Sequence, residues 1–251
     1  MNTEIKARIE SYEVQPNGNV KISSLMKLLQ KIAGDDLDNK NLSYMALRDH
    51  NIAFVLTKVT LQMYEDIKLY DNITIRTYPR KLRGATFLRD FIIIGADGKK
   101  AAYATSSWVL IDLEKRSILR PSALDEIGEI PTSDAELSTL PDVRRKVDST
   151  SLPKTNVRTV RYSQLDMNEH LNNTYYADFI FDIIPPELHP SDANMFFEIN
   201  YKTEARLGEE LYMYISMPIS REIDFFAQKD GSDKPCFSAY INFDGSDRIS
   251  Q

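Results

Sequence analysis

The order of apolar and polar positions along the chain predicts two copies of one unit, each with a leading strand, a helix and four further strands. Residues 3–14 alternate between apolar and polar side chains, which is typical of a half-buried strand. After a turn at 16–18, apolar residues spaced i, i+3, i+4 and i+7 predict an amphipathic helix. We expect Ser23 or Ser24 to cap this helix and Gly34 to end it.

Strand-like stretches complete the first unit, and the second half of the chain repeats the order. The predicted strands of the first half are 52–65, 71–79, 85–95 and 100–113. In the second half a strand over 154–165 precedes a helix that begins near Asn172 and stops at Pro185, and strands follow at 195–204, 209–217, 222–229 and 235–243. An Asp-Gly turn precedes the last strand of each half, at 97–98 and 230–231.

A constant offset between the halves indicates an internal duplication. Adding 138 to Leu69 and Asp71 gives Leu207 and Glu209. We therefore expect an N-terminal unit over 1–125, a connector over 126–152 and a C-terminal unit over 153–251. The connector is polar and contains several prolines, and it has room for a short helix over 133–140. A helix beside a curved antiparallel sheet predicts the α+β class.

Composition narrows the classes of function. The chain has 251 residues, 42% of them hydrophobic, with no apolar run long enough to cross a bilayer and no signal-peptide pattern at its start, so we expect a cytoplasmic protein. The single cysteine, Cys236, and three widely separated histidines argue against a metal centre, and no cofactor is indicated. A net charge of −6 argues against general binding to nucleic acid or to acidic membranes.

The segment 162–178 has the most informative chemistry. Asp166, Asn168 and His170 are spaced by two, so in an extended chain their side chains lie on the same side. The second helix follows directly, with Asn172 or Asn173 as its expected cap, and free N–H groups at a helix start can stabilise a negative oxygen. A carboxylate, an amide and an imidazole beside such donors suit the addition of water to a carbonyl carbon.

The alternative interpretation is structural, with Asp166 and Asn168 as turn residues and His170 as a hydrogen-bonded histidine of the core. The duplication supplies an internal control for this alternative. At an offset of 149 the three residues fall opposite Asn17, Asn19 and Lys21, which include no carboxylate and no imidazole. The local fold alone therefore does not require the three side chains.

The same segment resembles a known family. The run from Asp166 to Tyr176 is similar to the Asp-x-Asn-x-His-x-Asn-Asn signature of the acyl-acyl carrier protein thioesterases, and 104–110 resembles that family's Ala-Thr-Ser-x-Trp-Val strand. The resemblance covers nearly the whole chain and is closest to bacterial members, which lack a plastid transit peptide. It implies a tandem, or double, hotdog fold: two antiparallel sheets, each wrapped around a long helix.

The resemblance also implies a set of site residues. The family's further catalytic position, in an Arg-Glu-Cys context, corresponds to 203–205, where Glu204 keeps the carboxylate and Ala205 replaces the cysteine. A cysteine nucleophile is therefore excluded at that position. We expect His170 and Glu204 to activate a water, with the proton acceptor left open between them, Asp166 to orient the assembly, Asn168 to hold substrate or water, and N–H groups near Asn172 and Asn173 to bind the oxyanion.

Substrate binding is expected at two further places. The resemblance implies an acyl tunnel in the N-terminal unit, and candidate lining residues are Met26, Leu29, Ala53, Val55, Phe87 and Trp108. An acidic carrier protein needs a local positive patch on an acidic enzyme. The leading docking candidates are Arg76, Arg80, Lys81 and Arg83, with Arg144, Arg145 and Lys146 as a second cluster.

Three alternatives stay open alongside hydrolysis of acyl-acyl carrier protein. One is a hotdog acyl-CoA thioesterase, which shares the chemistry and differs in the carrier. Another is a hotdog dehydratase or hydratase. The third is a non-catalytic acyl-binding or regulatory protein, against which the retained polar residues and the lack of a basic DNA-reading module both argue. Chain-length preference and oligomeric state are also open, with a homodimer as one alternative.

Overall fold

The sheet dominates the computed structural model, which describes residues 3–132, 140, 152–189, 194–216 and 221–245. Within these ranges eleven strands form one antiparallel sheet, in the order β1-β3-β4-β5-β2-β8-β11-β10-β9-β7, with β6 paired to β5. The strands are β1 (Thr3–Arg8), β2 (Ile52–Met63), β3 (Asn72–Pro79), β4 (Thr86–Ile94), β5 (Lys100–Asp112), β6 (Ser117–Ile118), β7 (Lys154–Thr159), β8 (Met195–Tyr201), β9 (Glu210–Ile215), β10 (Glu222–Lys229) and β11 (Pro235–Asn242).

Both halves of the sheet have the same order, counted from the outer edge inward. The leading strand comes first, then the second, third and fourth strands of the repeat, and finally the first. The two innermost strands, β2 and β8, pair with each other over Lys58–Met63 and Met195–Asn200. The predicted pair of separate sheets is therefore wrong, because this pairing joins them into one. It also satisfies two strand edges that would otherwise be unpaired.

Three α-helices lie within the described residues: α1 (Ile22–Asp38), α2 (Tyr44–Asp49) and α3 (Tyr175–Phe181). The predicted end of α1 at Gly34 is wrong, since the helix continues through Asp36, which is buried against the sheet. Tertiary packing on both sides of the glycine outweighs its weak helix propensity. The predicted cap at Ser23 or Ser24 is also wrong, because both residues are buried in the first turn.

The second predicted helix is shorter than its apolar pattern indicated. α3 has seven residues, its N-cap is Thr174, and it ends at Phe181, before Pro185. Asn172 and Asn173 therefore precede the cap, so the predicted cap is wrong, and the C-terminal half contains no long helix among its described residues. The sequence pattern also missed α2, although Ser43 caps it by accepting a hydrogen bond from the backbone N–H of Ala46 at 3.1 Å.

A buried ionic cluster fixes the C-terminal part of α1 over the sheet. Asp36 accepts hydrogen bonds from Arg89 of β4 at 2.8 Å and from Thr3 of β1 at 2.7 Å, and Lys40 also contacts it. Burial raises the pKa of the Asp36 carboxyl, but the hydrogen bonds from Lys40, Thr3 and Arg89, with the charge of Arg89, outweigh burial and leave the pKa below 3.8. The charged carboxylate therefore holds the helix in place.

Two apolar clusters fill the interior. The larger one runs through both halves, under α1 and α3. The smaller one lies under α2 and contains Leu42, Leu47, Ile52, Leu110 and Leu124. Among the described residues, no helix is long and apolar enough to span a membrane.

Candidate active site

The strand-turn-helix segment occurs twice, and its hydrogen bonds give the true equivalence between the halves. A short 3-10 helix at Ser11–Glu13 and the backbone bridge from Val14 to Val20 recur at Tyr162–Gln164 and from Leu165 to Leu171. Each pair is related by an offset of 151, so the predicted offset of 149 is wrong by two residues. Asp166, Asn168 and His170 therefore correspond to Gln15, Asn17 and Asn19, which again include no carboxylate and no imidazole.

Asp166 organises the turn through the backbone. Its Oδ1 accepts hydrogen bonds from the N–H groups of Asn168 at 2.8 Å and His170 at 3.2 Å. The turn passes through Glu169 at φ +63°, where the first copy has Gly18 at φ +85°. A non-glycine residue in this region costs about 1–2 kcal/mol. The Asp166 carboxylate stabilises this turn and holds Asn168 and His170 together.

His170 and Glu204 form the central pair. The imidazole Nε2 of His170 lies 3.1 Å from Oε2 of Glu204. The backbone holds the two segments together, because Leu171 donates to the carbonyl of Ala205 at 2.8 Å and His170 bridges to Arg206. The side chains of His170 and Glu204 are 15% and 33% exposed, so water can reach the carboxylate.

The first half contains a pair of side chains at the equivalent positions, but this pair cannot act as an acid and a base. At the offsets of 151 and 138, His170 and Glu204 correspond to Asn19 and Asp66, and Asn19 Nδ2 lies 3.4 Å from Asp66 Oδ1. The offset of 138 seen in the sequence holds here, because the backbone bridge from Asn19 to Lys68 matches that from His170 to Arg206. An amide neither accepts nor releases a proton near neutral pH, so only the second copy has an acid–base pair.

Arg116 is a site residue that the sequence did not indicate. It follows β5 in a turn in which the Asp112 carboxylate accepts the N–H groups of Glu114 and Lys115 at 3.0 and 2.8 Å. Its guanidinium contacts Oε2 of Glu204, the same oxygen that faces His170. No local pattern could have identified it, because only the pairing of the two halves brings residue 116 to residue 204.

Two residues of α2 contact Asn168. The hydroxyl of Tyr44 donates to Asn168 Oδ1 at 2.6 Å, and Arg48 Nη1 donates to the same oxygen at 3.2 Å. Arg48 Nη1 also donates to the Tyr44 hydroxyl at 2.7 Å. Tyr44 and Arg48 are one helical turn apart, so they share a face of α2. The serine cap before Tyr44 was the sequence signal that could have revealed this helix.

The expected oxyanion donors at 172–173 are only partly available. The N–H of Asn172 donates to the carbonyl of Gln164 at 2.9 Å, and the equivalent N–H of Lys21 donates to Glu13 at 2.8 Å. The amide oxygen of Asn172 accepts from the N–H and hydroxyl of Thr174. The backbone N–H at this position therefore has the same structural role in both repeats. Asn173 lines the cavity, and its own N–H forms no hydrogen bond within the described part of the chain.

The polar cluster opens on a cavity of about 1410 Å³ between the two halves. Asp166, Asn168, His170 and Glu204 all line it. Its volume exceeds the ~300–1,000 Å³ of a typical small-molecule site. The apolar wall comes from the C-terminal part of α1, from α2, from the first half of β2, from β4 and β5, and from the segment after β6. Its residues include Leu37, Leu47, Phe54, Phe87, Trp108 and Leu124.

The predicted tunnel residues do not form one group. Phe87, Trp108, Ala53 and Val55 line the cavity, whereas Met26 and Leu29 are buried in the larger core cluster and do not line it. Phe87 pairs with Trp108 across the sheet, and Val55 pairs with Val109 at the alternate position. Because neighbouring strand residues point to opposite faces, Phe87 and Trp108 lie on the face opposite to Ala53 and Val55.

The four residues of the leading basic cluster differ in their ion pairs and in their distance from the cavity. Arg76 is paired with Glu4 at 2.6 Å, and Arg80 lies 3.5 Å from the buried carboxylate of Asp90. Lys81 and Arg83 are exposed in the connection between β3 and β4, and Arg80 and Leu82 of the same connection line the cavity. The second cluster, Arg144, Arg145 and Lys146, and the expected helix over 133–140 lie outside the described residues except for Leu140.

Cys236 is a packing residue of β11. Its thiol is buried and donates to the carbonyl of Thr203 at 3.0 Å, and it lies 3.7 Å from the hydroxyl of Tyr176. Burial raises the pKa of the thiol, which disfavours the nucleophilic thiolate. No cluster of three or more His, Cys, Asp or Glu side chains suited to a metal ion occurs in the described ranges.

Comparison with solved structures identifies the class of fold. An acyl-ACP thioesterase from Bacteroides thetaiotaomicron superposes with a TM-score of 0.79 at 25% identity, covering 96% of this chain and 97% of that one. The 12:0-ACP thioesterase from Umbellularia californica gives a TM-score of 0.76 at 17% identity, covering 96% of this chain and 95% of that one. The large antiparallel sheet with few helices is the hotdog-like fold of these proteins.

Family models assign the sequence more directly. The acyl-ACP thioesterase N-terminal domain matches residues 2–129, and the C-terminal domain of the same family matches 148–237. The chain belongs to the acyl-ACP thioesterase family. The chloroplastic oleoyl-acyl carrier protein thioesterase 2 of Arabidopsis thaliana is 23% identical over 216 residues, which are 79% of this chain. This chain spans only 58% of the length of that relative.

Proposed function

We propose that this protein hydrolyses the thioester of acyl-acyl carrier protein and releases a free fatty acid during fatty acid biosynthesis. The observation that carries the proposal is the His170–Glu204 contact of 3.1 Å at the wall of a large, mainly apolar cavity. An acid–base pair beside an apolar cavity suits an acyl substrate with one reactive carbonyl. Membership of the acyl-ACP thioesterase family supports the same reaction.

The contacts of Glu204 favour the carboxylate as the proton acceptor. Its Oε2 contacts both the guanidinium of Arg116 and Nε2 of His170, whereas Oε1 forms no hydrogen bond among the described residues. A water bound at Oε1 attacks the thioester carbonyl and transfers a proton to the carboxylate. When the tetrahedral intermediate collapses, the carbon–sulfur bond breaks and that proton passes to the leaving thiolate. A general base of this kind contributes ~10²–10⁴-fold in rate.

The developing oxyanion needs hydrogen-bond donors. The carboxamide of Asn168 and the backbone N–H of Asn173 are the donors that we assign, because both residues line the cavity. Asn172 is not assigned, since its N–H is used within the repeat. Asp166 contributes by holding the turn from Asn168 to His170 in place.

The acyl chain occupies the apolar part of the same cavity. Phe87 and Trp108 supply one wall on the sheet face that carries Arg89 and α1, and Ala53 and Val55 line the cavity from the opposite face. The mirrored strand order of the two halves supports a tandem hotdog arrangement, with residues 1–125 and 153–251 as its units and 126–152 as the connector. In this arrangement the N-terminal unit binds the chain and the C-terminal unit supplies the acid–base pair. We assign the reaction to the cytoplasm.

The carrier docks on the β3–β4 connection. This connection combines Lys81 and Arg83, both exposed, with Arg80 and Leu82 at the cavity wall. An acidic carrier protein bound there would have its acyl group next to the cavity. Because Arg76 lies within β3, outside this connection, we assign it a smaller share of the docking than the other three residues.

The test measures hydrolysis of the same acyl group attached either to the carrier protein or to CoA. Wild-type protein is expected to release free fatty acid and thiol from acyl-ACP. The Lys81→Glu/Arg83→Glu variant is expected to raise KM for acyl-ACP about tenfold, because each exposed pair contributes ~0.2–1 kcal/mol and reversal replaces attraction by repulsion. Hydrolysis of the matching acyl-CoA should change by less than about twofold, because acyl-CoA makes no protein–protein contact with this surface.

A matched control has the same change in net charge elsewhere. Lys99→Glu/Lys100→Glu reverses two exposed charges where the turn after β4 joins β5, and it should leave both KM values unchanged. A wild-type protein that releases no acid from either thioester would contradict the proposed function. Equal effects of Lys81→Glu/Arg83→Glu on both carriers would contradict only the docking assignment.

Hydrolysis of acyl-CoA is the second candidate function. It is favoured by the similarity of part of the chain to the long-chain acyl-CoA thioesterase FadM of Escherichia coli, at 28% identity over 120 residues and 47% of this chain. The same catalytic residues would act on either carrier. A kcat/KM for acyl-CoA that exceeds the value for acyl-ACP would establish this alternative.

A further inference from the structure

We propose that Tyr44 and Arg48 of α2 are positioning residues that fix the carboxamide of Asn168, so that its Nδ2 is the group presented to the substrate. The inference rests on the proposed thioester hydrolysis and extends it to a helix of the other half. α2 belongs to the N-terminal half and has no counterpart helix among the described residues of the C-terminal half. Tyr44 and Arg48, which contact Asn168, lie 124 and 120 positions before it in the chain.

The hydrogen bonds determine the orientation of the amide. A guanidinium can only donate, so the atom of Asn168 that faces Arg48 Nη1 at 3.2 Å must be the oxygen. The Tyr44 hydroxyl accepts from Arg48 at 2.7 Å and therefore uses its single proton for Asn168 Oδ1, at 2.6 Å. The hydrogen bonds among the three groups form a closed triangle, in which Arg48 donates to Tyr44 and to Asn168, and Tyr44 donates to Asn168. Nδ2 of Asn168 must then point away from α2, and it remains a donor for another partner.

Backbone contacts hold the other end of the same side chain. The N–H of Asn168 donates to Asp166 Oδ1 at 2.8 Å, which fixes the start of the side chain, and the triangle fixes its end. Asn168, Tyr44 and Arg48 all line the cavity. An oxyanion donor acts best when its direction is set before the reaction begins. Without the triangle the exposed carboxamide rotates freely, and its donor is directed at the carbonyl oxygen for only part of the time.

The position of α2 also connects the acyl cavity with the amide. Leu47 lies on the same short helix, is 4% exposed and packs with Leu42 and Ile52 in the apolar cluster under α2. Tyr44 and Arg48 flank Leu47 along the helix and contact Asn168. One short helix therefore contacts both the cavity wall and a group that we assign to the reacting carbonyl.

The test is a double-mutant cycle on kcat. The Tyr44→Phe/Arg48→Met variant is expected to lower kcat for acyl-ACP about 10- to 100-fold with KM within about twofold, because displaced reacting groups cost up to ~10²-fold. In the Asn168→Ala background the same pair of substitutions should cost nothing further, since the residue through which they act is absent. Met45→Ala, an exposed change on the same helix, should leave kcat unchanged in both backgrounds.

Two results would overturn the proposal. One is an unchanged kcat in Tyr44→Phe/Arg48→Met, and the other is an equal loss with and without Asn168, which would indicate a general effect on the fold. A measurement that needs no activity separates this proposal from the proposed function. The NMR signals of the Asn168 side-chain NH₂ group, identified by their loss in Asn168→Ala, should shift in Tyr44→Phe/Arg48→Met and not in Met45→Ala. Unshifted signals would overturn the triangle even if the wild type proved inert.

Discussion

The Glu204→Gln variant is expected to lower kcat for acyl-ACP hydrolysis by ~10²–10⁴-fold, the usual contribution of a general base. Glutamine has nearly the same shape and can still contact His170 and Arg116, but it cannot accept the proton of the attacking water. KM should change little, because Glu204 acts on the water and not on the acyl chain. Turnover is measured as thiol release from acyl-ACP by the purified protein.

A neighbouring carboxylate provides the control for this variant. Glu169 lies in the same turn, between Asn168 and His170, and its side chain is exposed and outside the cavity wall. Glu169→Gln makes the same chemical change and should keep kcat within about twofold of the wild type. A Glu204→Gln protein that is folded and retains near-wild-type kcat would remove Glu204 from the role of base.

The Gly34→Phe variant is expected to shift chain-length preference toward shorter acyl groups. Gly34 lines the cavity from α1, and apart from its chain neighbours and the backbone of its own helix, a Cβ at this position would have no atom within 4 Å. A phenyl group would therefore fill space that the acyl chain uses. Each excluded methylene is worth ~0.8 kcal/mol, or about fourfold, so losing three should lower kcat/KM about sixtyfold for the longest substrates. Short substrates that do not reach this wall should be hydrolysed as before.

Gly34→Ala separates the effect of cavity volume from that of helix stability. Alanine has a helix propensity about 0.8–1 kcal/mol better than that of glycine, so this variant should unfold at a higher temperature. It adds one methyl group and should keep the chain-length profile nearly unchanged. A Gly34→Phe variant with a wild-type profile over a series of acyl-ACP substrates would show that the acyl chain does not run along α1.

The sequence predicted the strands well because their signal is local. The sequence pattern places eight of the ten main strands to within about three residues, and the Asp-Gly turns separate the last two strands of each half. The two leading strands, predicted over 3–14 and 154–165, are wrong at their C-terminal ends, because a 3-10 helix and a turn follow Arg8 and Thr159. The pairing of β2 with β8 could not be predicted in this way. It depends on two strand edges, more than 130 residues apart, that become adjacent only after each half has folded.

The helix ends depended on packing and were predicted less well. Gly34 is a typical helix terminator, but the ion pair between Asp36 and Arg89 continues α1 beyond it. The apolar positions after Phe181 suggested a longer α3, although these residues pack against the core from a turn. The predicted offset of 149 between the repeats is wrong by two residues at the motif, because the backbone bridges, and not the similar polar residues, define which positions are equivalent.

The candidate site was predicted from the half of the chain that contains the motif. Asp166, Asn168, His170 and Glu204 all line the cavity, and their roles in the reaction stay predictions from the spacing and the family resemblance. Arg116, Tyr44 and Arg48 were missed because each reaches the site from the other half, through contacts that span 88 to 124 positions. Residues of this kind become visible only when both halves are folded together.

The central claim is that His170 and Glu204 act as one unit on one water. The most direct measurement is kcat for acyl-ACP in His170→Ala, Glu204→Gln and the double variant. Groups that act as a unit are strongly non-additive, so the double variant should be no more than a few-fold slower than the slower single variant. Losses that multiply in the double variant, or a His170→Ala protein with near-wild-type turnover, would contradict the account.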